Sequence, residues 1–412
     1  MNKTTLRVAQ IVSPWISVPP KDYGGTERVV YDLTEELVKR NYAVSLFATG
    51  DSHTRAKLHF FWKKALVRMH IPWKDDDKAK YHIEQSFKKA IKPINKDIIN
   101  PLYNYDVIHF HLSSSADIIV FALASRSPIP VICTLHSRFP FDRRPKHIGE
   151  KDKYYLQWVQ DLPMIGISER AREDALETTK AALNFIKIIP HGLPESEFLK
   201  FDSEEKITRD SLVWVGRIIQ DKGVHIALEV AISLKMKIIF GGIIPEVPEE
   251  VAYFNEKINP LIEKYPDLIT FIGKVNPERR AKLLQQGLVF LNPIQWEEPF
   301  GLVMIEAMAQ GCPCISFPRG AANELIQPGI NGEFAANAEE MAQKVKVVID
   351  SIDRDKLVAW TKSFYSISSM TDNYLNAYQI VMNDFSRKVS FSKRQKVYAK
   401  IKKLQKKYLL SK

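Results

Sequence analysis

Short, apolar, β-branched runs alternate with amphipathic segments along most of this chain, and this alternation limits the possible folds more than any other feature. Runs of this kind are typical of strands buried on both faces, and helices between them indicate βαβ units with a parallel sheet. The predicted strands are residues 6–12, 43–48, 106–110, 131–135, 164–167 and 186–189, then 211–215, 237–240, 268–272, 289–292 and 312–317. The sequence therefore predicts an α/β fold with doubly wound parallel sheets.

The strand pattern restarts after a polar stretch at 195–210, which suits a linker. A chain of 412 residues is also long for a single domain, and two or three domains are expected at this length. We therefore predict two Rossmann-like domains, at residues 1–194 and 195–369. Residues 370–386 have the apolar spacing of an amphipathic helix, and residues 387–412 form a separate basic tail.

The excess positive charge of the chain lies in this tail. Residues 387–412 contain eleven Lys and Arg and no acidic residue, which matches the net charge of +11 for the whole chain. Val397, Ile401, Leu404 and Tyr408 recur at helical spacing with lysines beside them. A cationic helix with one apolar stripe predicts binding to an anionic membrane surface. Nucleic acid is a less favoured partner because no reading motif is recognisable, and a solvated tail is the alternative.

Residues 52–104 are rich in Lys, Arg and aromatic residues and are too long for a simple loop. We predict that they form helices capping one end of the first domain, which serve either as an acceptor-binding surface or as a solvated cap. The triplet Asp75-Asp76-Asp77 in this segment is predicted to be a solvated loop and not a metal site.

The cysteine content indicates a reducing compartment. Cys133, Cys312 and Cys314 are too few for a disulfide framework and lack the spacing of a zinc site. No apolar run reaches the roughly eighteen residues that a transmembrane helix needs. We therefore expect a cytoplasmic protein, with the tail allowing peripheral attachment to the inner face of the cell membrane.

Two loops offer groups suited to an anionic ligand. Gly24 and Gly25 follow the first strand and open a helix, so the backbone can approach a ligand and unpaired N–H groups are available. Arg217 and Lys222 follow the first strand of the second domain, at the edge where ligands of open α/β sheets bind. Both cations can reach one pyrophosphate, the Arg as a fork and the Lys as a point charge.

The most specific motif lies at residues 297–311. Pro299 and Gly301 suit a tight loop that is followed by a helix, and Gly311 suits the end of that helix. Glu298 then lies just before the helix and Glu306 lies within it, about 10 Å apart along the axis. This spacing allows the two carboxylates to bind two hydroxyl-bearing parts of one extended ligand.

The Glu-Glu-Pro-Phe-Gly-Leu-Val-Met-Ile-Glu motif at 297–306 resembles the E-x(7)-E signature of glycosyltransferase family 4, whose members are retaining enzymes with the GT-B fold. Other family motifs occur in the same order, namely the Gly-Gly loop, Thr-Leu-His at 134–136, Ile-Ser-Glu at 167–169, Ile-Pro-His-Gly at 189–192 and Val-Gly-Arg…Lys-Gly at 215–223. The resemblance covers about residues 5–385. It implies two Rossmann-like domains facing a central cleft, the first on the acceptor side and the second binding the nucleotide sugar. It also implies that the helix at 370–386 crosses back onto the N-terminal domain.

The resemblance also implies roles for individual residues. Arg217 and Lys222 would neutralise the donor diphosphate, Glu298 would hold the transferred sugar, and His136 would lie beside the anomeric centre. These four are the expected catalytic residues. The expected donor-binding residues are Gly24, Gly25, His191, Lys274, Val275, Phe300, Gly301, Leu302 and Glu306. Within this set, the resemblance assigns the ribose hydroxyls to Glu306 and the base to the loop that contains Lys274 and Val275.

The function that the resemblance implies is retaining transfer of a hexose-type sugar from a nucleoside-diphosphate sugar to an acceptor hydroxyl. No cofactor or essential metal is expected. A UDP-sugar is the favoured donor and GDP-mannose the next, and the acceptor is expected to be a glycan or lipid-linked glycan in surface glycan or glycolipid synthesis. The alternatives are a sugar-nucleotide epimerase of the same fold and a non-catalytic membrane- or nucleic-acid-binding protein.

Overall fold

A computed structural model of the chain describes residues 5–21, 24–72, 76–96, 101–141, 149–160, 162–199 and 208–409, without the side chains of residues 151 and 389–409. The described strands form two separate parallel sheets, one in each half of the chain. The predicted fold class, an α/β fold with two Rossmann-like domains, is confirmed.

The first sheet lies in the N-terminal half. Its described strands are β1 (Arg7–Val12), β2 (Ala43–Phe47), β3 (Lys57–His59), β4 (Val107–Leu112), β5 (Val131–Leu135), β6 (Met164–Gly166) and β7 (Phe185–Ile188). They lie in the order β3-β2-β1-β4-β5-β6-β7. The helices are α1 (Gly25–Lys39), α2 (Asp76–Ala90), α3 (Ile119–Ala124), α4 (Glu150–Leu156) and α5 (Glu169–Thr179), with 3₁₀ turns at Leu66–Met69, Ser115–Ile118 and Glu195–Glu197. The chain direction across the sheet reverses between β1 and β4, where such sheets bind ligands.

The second sheet repeats this plan. Its described strands are β8 (Ser211–Val215), β9 (Ile238–Gly241), β10 (Ile269–Phe271), β11 (Gly287–Asn292), β12 (Cys314–Ser316) and β13 (Gly332–Phe334), in the order β10-β9-β8-β11-β12-β13. The helices are α6 (Val224–Leu234), α7 (Pro248–Tyr253), α8 (Asn259–Lys264), α9 (Pro277–Gln286), α10 (Leu302–Ala309), α11 (Ala322–Leu325), α12 (Ala338–Ser351) and α13 (Arg354–Tyr365), with a 3₁₀ turn at Gln220–Lys222 and a π turn at Phe254–Ile258. The reversal here lies between β8 and β11.

The last helix, α14 (Ile367–Leu409), returns to the first domain. Tyr374, Tyr378 and Val381 are buried in the same apolar cluster as Val30 and Leu33 of α1. Large aromatic side chains on this face bury enough apolar surface to hold the helix against the first sheet. The second domain is therefore followed by a segment that belongs structurally to the first. Among the described residues, no helix combines the length and the apolar character that crossing a bilayer requires.

All eleven predicted strands are present, with ends that differ by at most two residues. Two edge strands, β3 and β13, were not predicted. Residues 52–104 contain the helix α2, as predicted, and also β3, which was not predicted. Helix α2 buries Ile83 and Phe87 against the first core. Asp76 and Asp77 begin α2 instead of lying in a loop, and Asp75 lies outside the described residues.

Helix α14 also differs from the prediction, because its backbone continues from Ile367 through residue 386 to Leu409 without a break. The side chains of the predicted apolar stripe in the tail lie outside the described residues. Residues 200–207 of the predicted linker lie outside them too. The domain boundaries at 194 and 369 stay predictions.

Candidate active site

Residues that follow strands of both sheets line one cleft of about 1390 Å³. Ser114 follows β4, His136 follows β5, Gly216 follows β8 and Ile243 follows β9. The carboxyl ends of the two sheets therefore meet at this cleft. Its volume exceeds the roughly 300–1,000 Å³ of a typical small-molecule pocket, so it can hold an extended ligand together with a second substrate.

The glycine loop brings two helix N-termini together. Gly24 precedes α1, and a Cβ atom built there would lie 2.7 Å from Glu27 Oε2 and 2.9 Å from Pro20 Cβ, so the close packing of this loop requires glycine. A Cβ atom at Gly25 would lie 3.6 Å from Cδ1 of Leu302, the first residue of α10. The N-termini of α1 and α10 thus face the same part of the cleft, and both favour an anion.

Two cations lie beside these helix ends. Arg217 and Lys222 both line the cleft in the loop after β8. Lys222 forms an ion pair with Glu298, which also accepts a hydrogen bond from Trp296 Nε1 at 3.1 Å. The ammonium nitrogen lies 5.4 Å from the Trp296 ring centroid, within range of a cation–π interaction. The charge of Lys222 is therefore balanced by the carboxylate that the resemblance assigns to the transferred sugar.

Glu306 is held by arginines from both halves of the chain. Its Oε1 lies 2.8 Å from Arg280 on α9 and 4.0 Å from Arg28 on α1. Arg28 also pairs with Glu197, in the connection between the sheets. The Glu306 side chain is largely buried, and a buried carboxylate needs such partners to remain charged.

Two histidines line the cleft beside the loop that precedes α10. The rings of His136 and His191 stack with centroids 5.3 Å apart, and His191 contacts the Phe300 ring at 4.6 Å. Burial lowers the pKa of His191 to about 3 and the pKa of His136 well below its usual range. Both rings are therefore neutral at physiological pH.

Hydrogen bonds link the two domains at the start of α5. The Ser168 hydroxyl donates a hydrogen bond to the Pro299 carbonyl at 2.7 Å. The carboxylate of Glu324 in the second domain accepts hydrogen bonds at 2.8 Å from the backbone N–H groups of Glu169 and Arg170, in the first turn of α5. A carboxylate at this position balances the partial positive charge of the helix N-terminus.

Every predicted site residue lines the cleft except Lys274. The residues that do so are His136, Glu298, Arg217, Lys222, Gly24, Gly25, Val275, Phe300, Gly301, Leu302, Glu306 and His191. The loop containing Lys274 still reaches the cleft, but through Val275. The catalytic and binding roles of these residues stay predictions.

Sequence reasoning missed Arg28, Arg280 and Trp296. Arg28 lies in the first turn after the glycine loop and Arg280 in the first turn after the predicted base loop. The positions of Arg28 and Arg280, directly after two predicted ligand-binding loops, could have indicated that they line the site. The partner of each cation, however, comes from a distant part of the chain.

Two buried carboxyl groups, also missed, lie on the first domain's side. Glu27 lines the cleft, and burial raises its pKa to about 7, with a further contribution from the nearby Asp117. Asp117 accepts hydrogen bonds at 2.8 Å from the backbone N–H groups of Ser113 and Ser114, and burial raises its pKa too. Glu27 is therefore about half protonated at neutral pH in the donor-free protein.

This raised pKa predicts a pH-dependent stability. Because the folded protein holds the Glu27 proton more tightly than the unfolded chain, its free energy of unfolding falls as the pH rises from about 4.5 to about 7. Above about pH 7, ionised Glu27 lowers the free energy of unfolding by its full amount, on the order of 3 kcal/mol. We expect Glu27→Gln to remove this loss, so that the stability gained by the variant grows between pH 5 and pH 8. Urea unfolding followed by tryptophan fluorescence checks this. Glu339→Gln, on the exposed first turn of α12, is the control. Equal pH dependence of wild type and Glu27→Gln would contradict the prediction.

Two family models match this chain. The model for Glycosyltransferase Family 4 matches residues 23–197, and the model for Glycosyl transferases group 1 matches residues 209–351. Together they cover about three quarters of the chain. The chain is a family 4 glycosyltransferase.

Similar proteins align with about nine tenths of this family 4 glycosyltransferase. An uncharacterised glycosyltransferase of Methanocaldococcus jannaschii is 23% identical and aligns over 90% of this chain and 97% of its own. Spore coat protein SA of Bacillus subtilis is 27% identical over 91% of this chain and 99% of its own. The Anabaena protein HepE, whose structure is known in complex with UDP, shares the fold with a TM-score of 0.67 and 16% identity, over 91% of this chain and 100% of HepE. HepE has also been solved with UDP-glucose.

Proposed function

We propose that this glycosyltransferase is a retaining hexosyltransferase that takes its sugar from a nucleoside-diphosphate donor, with a UDP-sugar favoured over GDP-mannose. The observation that carries the proposal is the convergence of Arg217, Lys222 and the N-termini of α1 and α10 in one cleft. Four sources of positive potential at one place suit a diphosphate. The complexes of HepE with UDP and UDP-glucose support the preference for uridine.

The same groups supply the chemistry. In a retaining transfer on one face of the donor, the bond between the anomeric carbon and the diphosphate oxygen breaks. The acceptor oxygen bonds to that carbon and its proton passes to the leaving diphosphate. Negative charge grows on the diphosphate as it leaves, and fixed cations and helix N–H groups stabilise that charge. Arg217 and Lys222 perform this role without a metal ion or other cofactor.

Donor binding exchanges ion-pair partners in this mechanism. The diphosphate takes over Lys222, which releases Glu298 from its ion pair. The freed carboxylate then accepts hydrogen bonds from hydroxyl groups of the transferred sugar. Glu298 therefore becomes available to the sugar only when a diphosphate is present, which couples the two halves of donor recognition.

The proposal is tested by incubating the protein with UDP- and GDP-sugars, with and without candidate glycan or lipid-linked acceptors, and measuring released nucleoside diphosphate. A transferase releases the diphosphate faster when its acceptor is added, and the product keeps the anomeric configuration of the donor. Conversion of the donor sugar without diphosphate release would identify an epimerase. No turnover of any donor, with or without acceptor, would favour the non-catalytic binding protein.

We expect the two domains to move together further when the donor binds, as hinge-linked domains do. The donor bridges Arg217 and the α1 N-terminus, so it adds attraction across the cleft. Small-angle X-ray scattering should show a smaller radius of gyration with saturating UDP than without it, and adenosine serves as the control ligand. An unchanged radius at saturation would contradict closure.

The C-terminal tail predicts membrane attachment, and the acceptor is then a membrane-borne or lipid-linked glycan at the inner face of the cell membrane. Each Lys or Arg near an anionic surface contributes about 1 kcal/mol. We expect the intact protein to sediment with anionic vesicles and much less with neutral ones, and deletion of residues 387–412 to abolish the difference.

A matched variant separates charge from the apolar stripe. Replacing Val397, Ile401, Leu404 and Tyr408 with serine keeps all eleven cations. This variant should bind anionic vesicles more weakly than the intact chain and more strongly than the deletion. Equal, weak binding by intact and truncated protein would exclude the membrane proposal and leave the transferase proposal unaffected.

A further inference from the structure

A chain of hydrogen bonds leads from the interior of the first sheet to the cleft. Gln10 on β1 places its amide oxygen 2.5 Å from Nε2 of His111 on β4. Nδ1 of His111 lies 2.9 Å from Nε2 of His136, which follows β5 and lines the cleft. Gln10 and His111 are fully buried, so water does not compete for these bonds. This series of hydrogen bonds joins residues of β1 and β4 to the residue that follows β5, and these three strands are neighbours in the sheet. Of the three side chains, only His136 lines the described cleft.

The chemistry of these groups determines where each proton lies. An amide oxygen only accepts hydrogen bonds, so His111 donates from Nε2 to Gln10. A neutral imidazole carries one N–H, which leaves Nδ1 of His111 as an acceptor for the Nε2–H of His136. Nδ1 of His136 is then unprotonated, and it has no hydrogen-bond partner among the described residues. Burial lowers the pKa values of His111 and His136 well below the usual range, so the neutral form on which this reasoning depends is the stable one.

A second set of bonds fixes the position of β4 and β5 beneath this chain. His109 accepts or donates at both nitrogens, to the Tyr378 hydroxyl at 2.8 Å and to the Thr134 hydroxyl at 2.7 Å. Tyr374 lies 3.1 Å from the same Thr134 hydroxyl. Both tyrosines belong to α14, so the returning helix holds the strands that carry His111 and His136 but does not bond to either ring.

We propose that Gln10 is a positioning residue for His136: acting through His111, it sets the tautomer and the ring orientation that His136 presents to the sugar end of the donor cleft. Gln10 does not contact the cleft, and its effect depends on the orientation of one amide group. In metal sites, a residue that hydrogen-bonds to the second ring nitrogen of a histidine ligand orients that ligand. Mutation of such a residue typically lowers metal affinity or activity about 10- to 100-fold. The consequence for turnover rests on the proposed function, whereas the consequence for the tautomer does not.

The tautomer can be measured directly by NMR of protein with ¹⁵N-labelled histidine, with His136→Gln used to assign the signals. We expect wild-type His136 to be protonated at Nε2 and bare at Nδ1. Gln10→Leu removes the acceptor and should produce a mixture of tautomers at His111 and His136. Tyr374→Phe removes a buried hydroxyl that bonds to Thr134 and leaves the hydrogen bonds among Gln10, His111 and His136 in place. It is therefore the matched control and should leave the wild-type tautomer unchanged.

Gln10→Glu gives the most selective result because a carboxylate is still an acceptor. At high pH, His111 donates to it and the wild-type tautomer is kept. The negative charge raises the pKa of His111 relative to wild type, and once protonated this ring donates from both nitrogens. His136 must then accept at Nε2 and carry its proton on Nδ1. The titratable groups around His111 are His109 on the same strand, His136 and His191, and the two tyrosines of α14 contact His109. The variant changes none of these groups.

Turnover provides the functional readout. Gln10→Leu should lower kcat about tenfold and change the donor KM less than twofold, because the substrate contacts remain. The rate of Gln10→Glu should approach wild type at high pH and fall more steeply than wild type as the pH drops. Tyr374→Phe should follow the wild-type pH profile.

Wild-type His136 protonated at Nδ1, or an unchanged tautomer in Gln10→Leu, would overturn the proposal whether or not the protein transfers sugar. Melting temperatures and circular dichroism identify a variant that does not fold, and Gln10→Glu then supplies the decisive spectrum. A correct tautomer pattern in a protein that turns over no nucleotide sugar would instead count against the proposed function.

Discussion

Replacing Lys222 with alanine should lower kcat by 10²-fold or more while the protein keeps its fold. Removing one fixed donor that stabilises negative charge in a transition state typically costs about 10²–10³-fold. Lys222 lies where the diphosphate is proposed to leave, between the Trp296 ring and Glu298. Its removal also leaves the Glu298 carboxylate next to the departing diphosphate without a neutralising partner, which adds repulsion.

Steady-state kinetics with a UDP-sugar and the active acceptor measure this effect. Lys222→Arg keeps the charge but not the compact ammonium, and we expect it to recover part of the rate. Lys282→Ala is the charge-matched control, because Lys282 is exposed on α9 and pairs with Glu278 one turn away. If Lys222→Ala turned over within threefold of wild type, the assignment of Lys222 to the leaving group would be wrong.

Replacing Glu306 with alanine should lower kcat/KM at least tenfold, mainly by raising the donor KM. The carboxylate is proposed to bind the ribose hydroxyls, and this contact is present before and during transfer, so its loss weakens binding of both states. The effect is increased because Arg280 loses this ion-pair partner, whereas Arg28 keeps its ion pair with Glu197. Removing one partner of a largely buried ion pair destabilises its surroundings.

The ribose assignment has its own signature. Wild type should bind UDP more tightly than 2′-deoxy-UDP, and Glu306→Ala should bind the two with nearly equal affinity. Glu339→Ala, on the exposed first turn of α12, is the control and should behave as wild type. Persistent discrimination between the two nucleotides in Glu306→Ala would assign the ribose contact to another residue.

The fold was largely predictable because its strands are buried on both faces. A strand such as β4 is buried on both faces, so most of its side chains are apolar. Such strands are visible in the sequence as continuous apolar runs. The two missed strands, β3 and β13, have three residues each and lie at sheet edges with partly exposed side chains. The other two edge strands, β7 and β10, were predicted because each lies in an apolar, β-branched run. The residues of β3 and β13 include charged or polar side chains and form no such run.

The site residues were predictable where they lie together in one short motif. They were not predictable where they come from distant parts of the chain. Arg217, Lys222, Glu298 and Glu306 lie in short motifs at the ends of buried strands, so their position could be read locally. The partners of Glu306, by contrast, come from α1 and α9, and only the folded chain brings them together. The hydrogen bonds of His109 and His111 could not be predicted for the same reason, since they run to β1, β5 and α14.

Calorimetric titration of the donor-free protein with nucleoside diphosphates tests the central claim, that this cleft binds a nucleotide-sugar donor through its diphosphate. We predict one site per chain, with UDP the tightest ligand and GDP the next. Binding should weaken at least tenfold in Lys222→Ala and in Glu306→Ala and remain unchanged in Lys282→Ala. If none of these nucleotides bound at millimolar concentrations, or if all four proteins bound UDP equally, the cleft would not be a donor site.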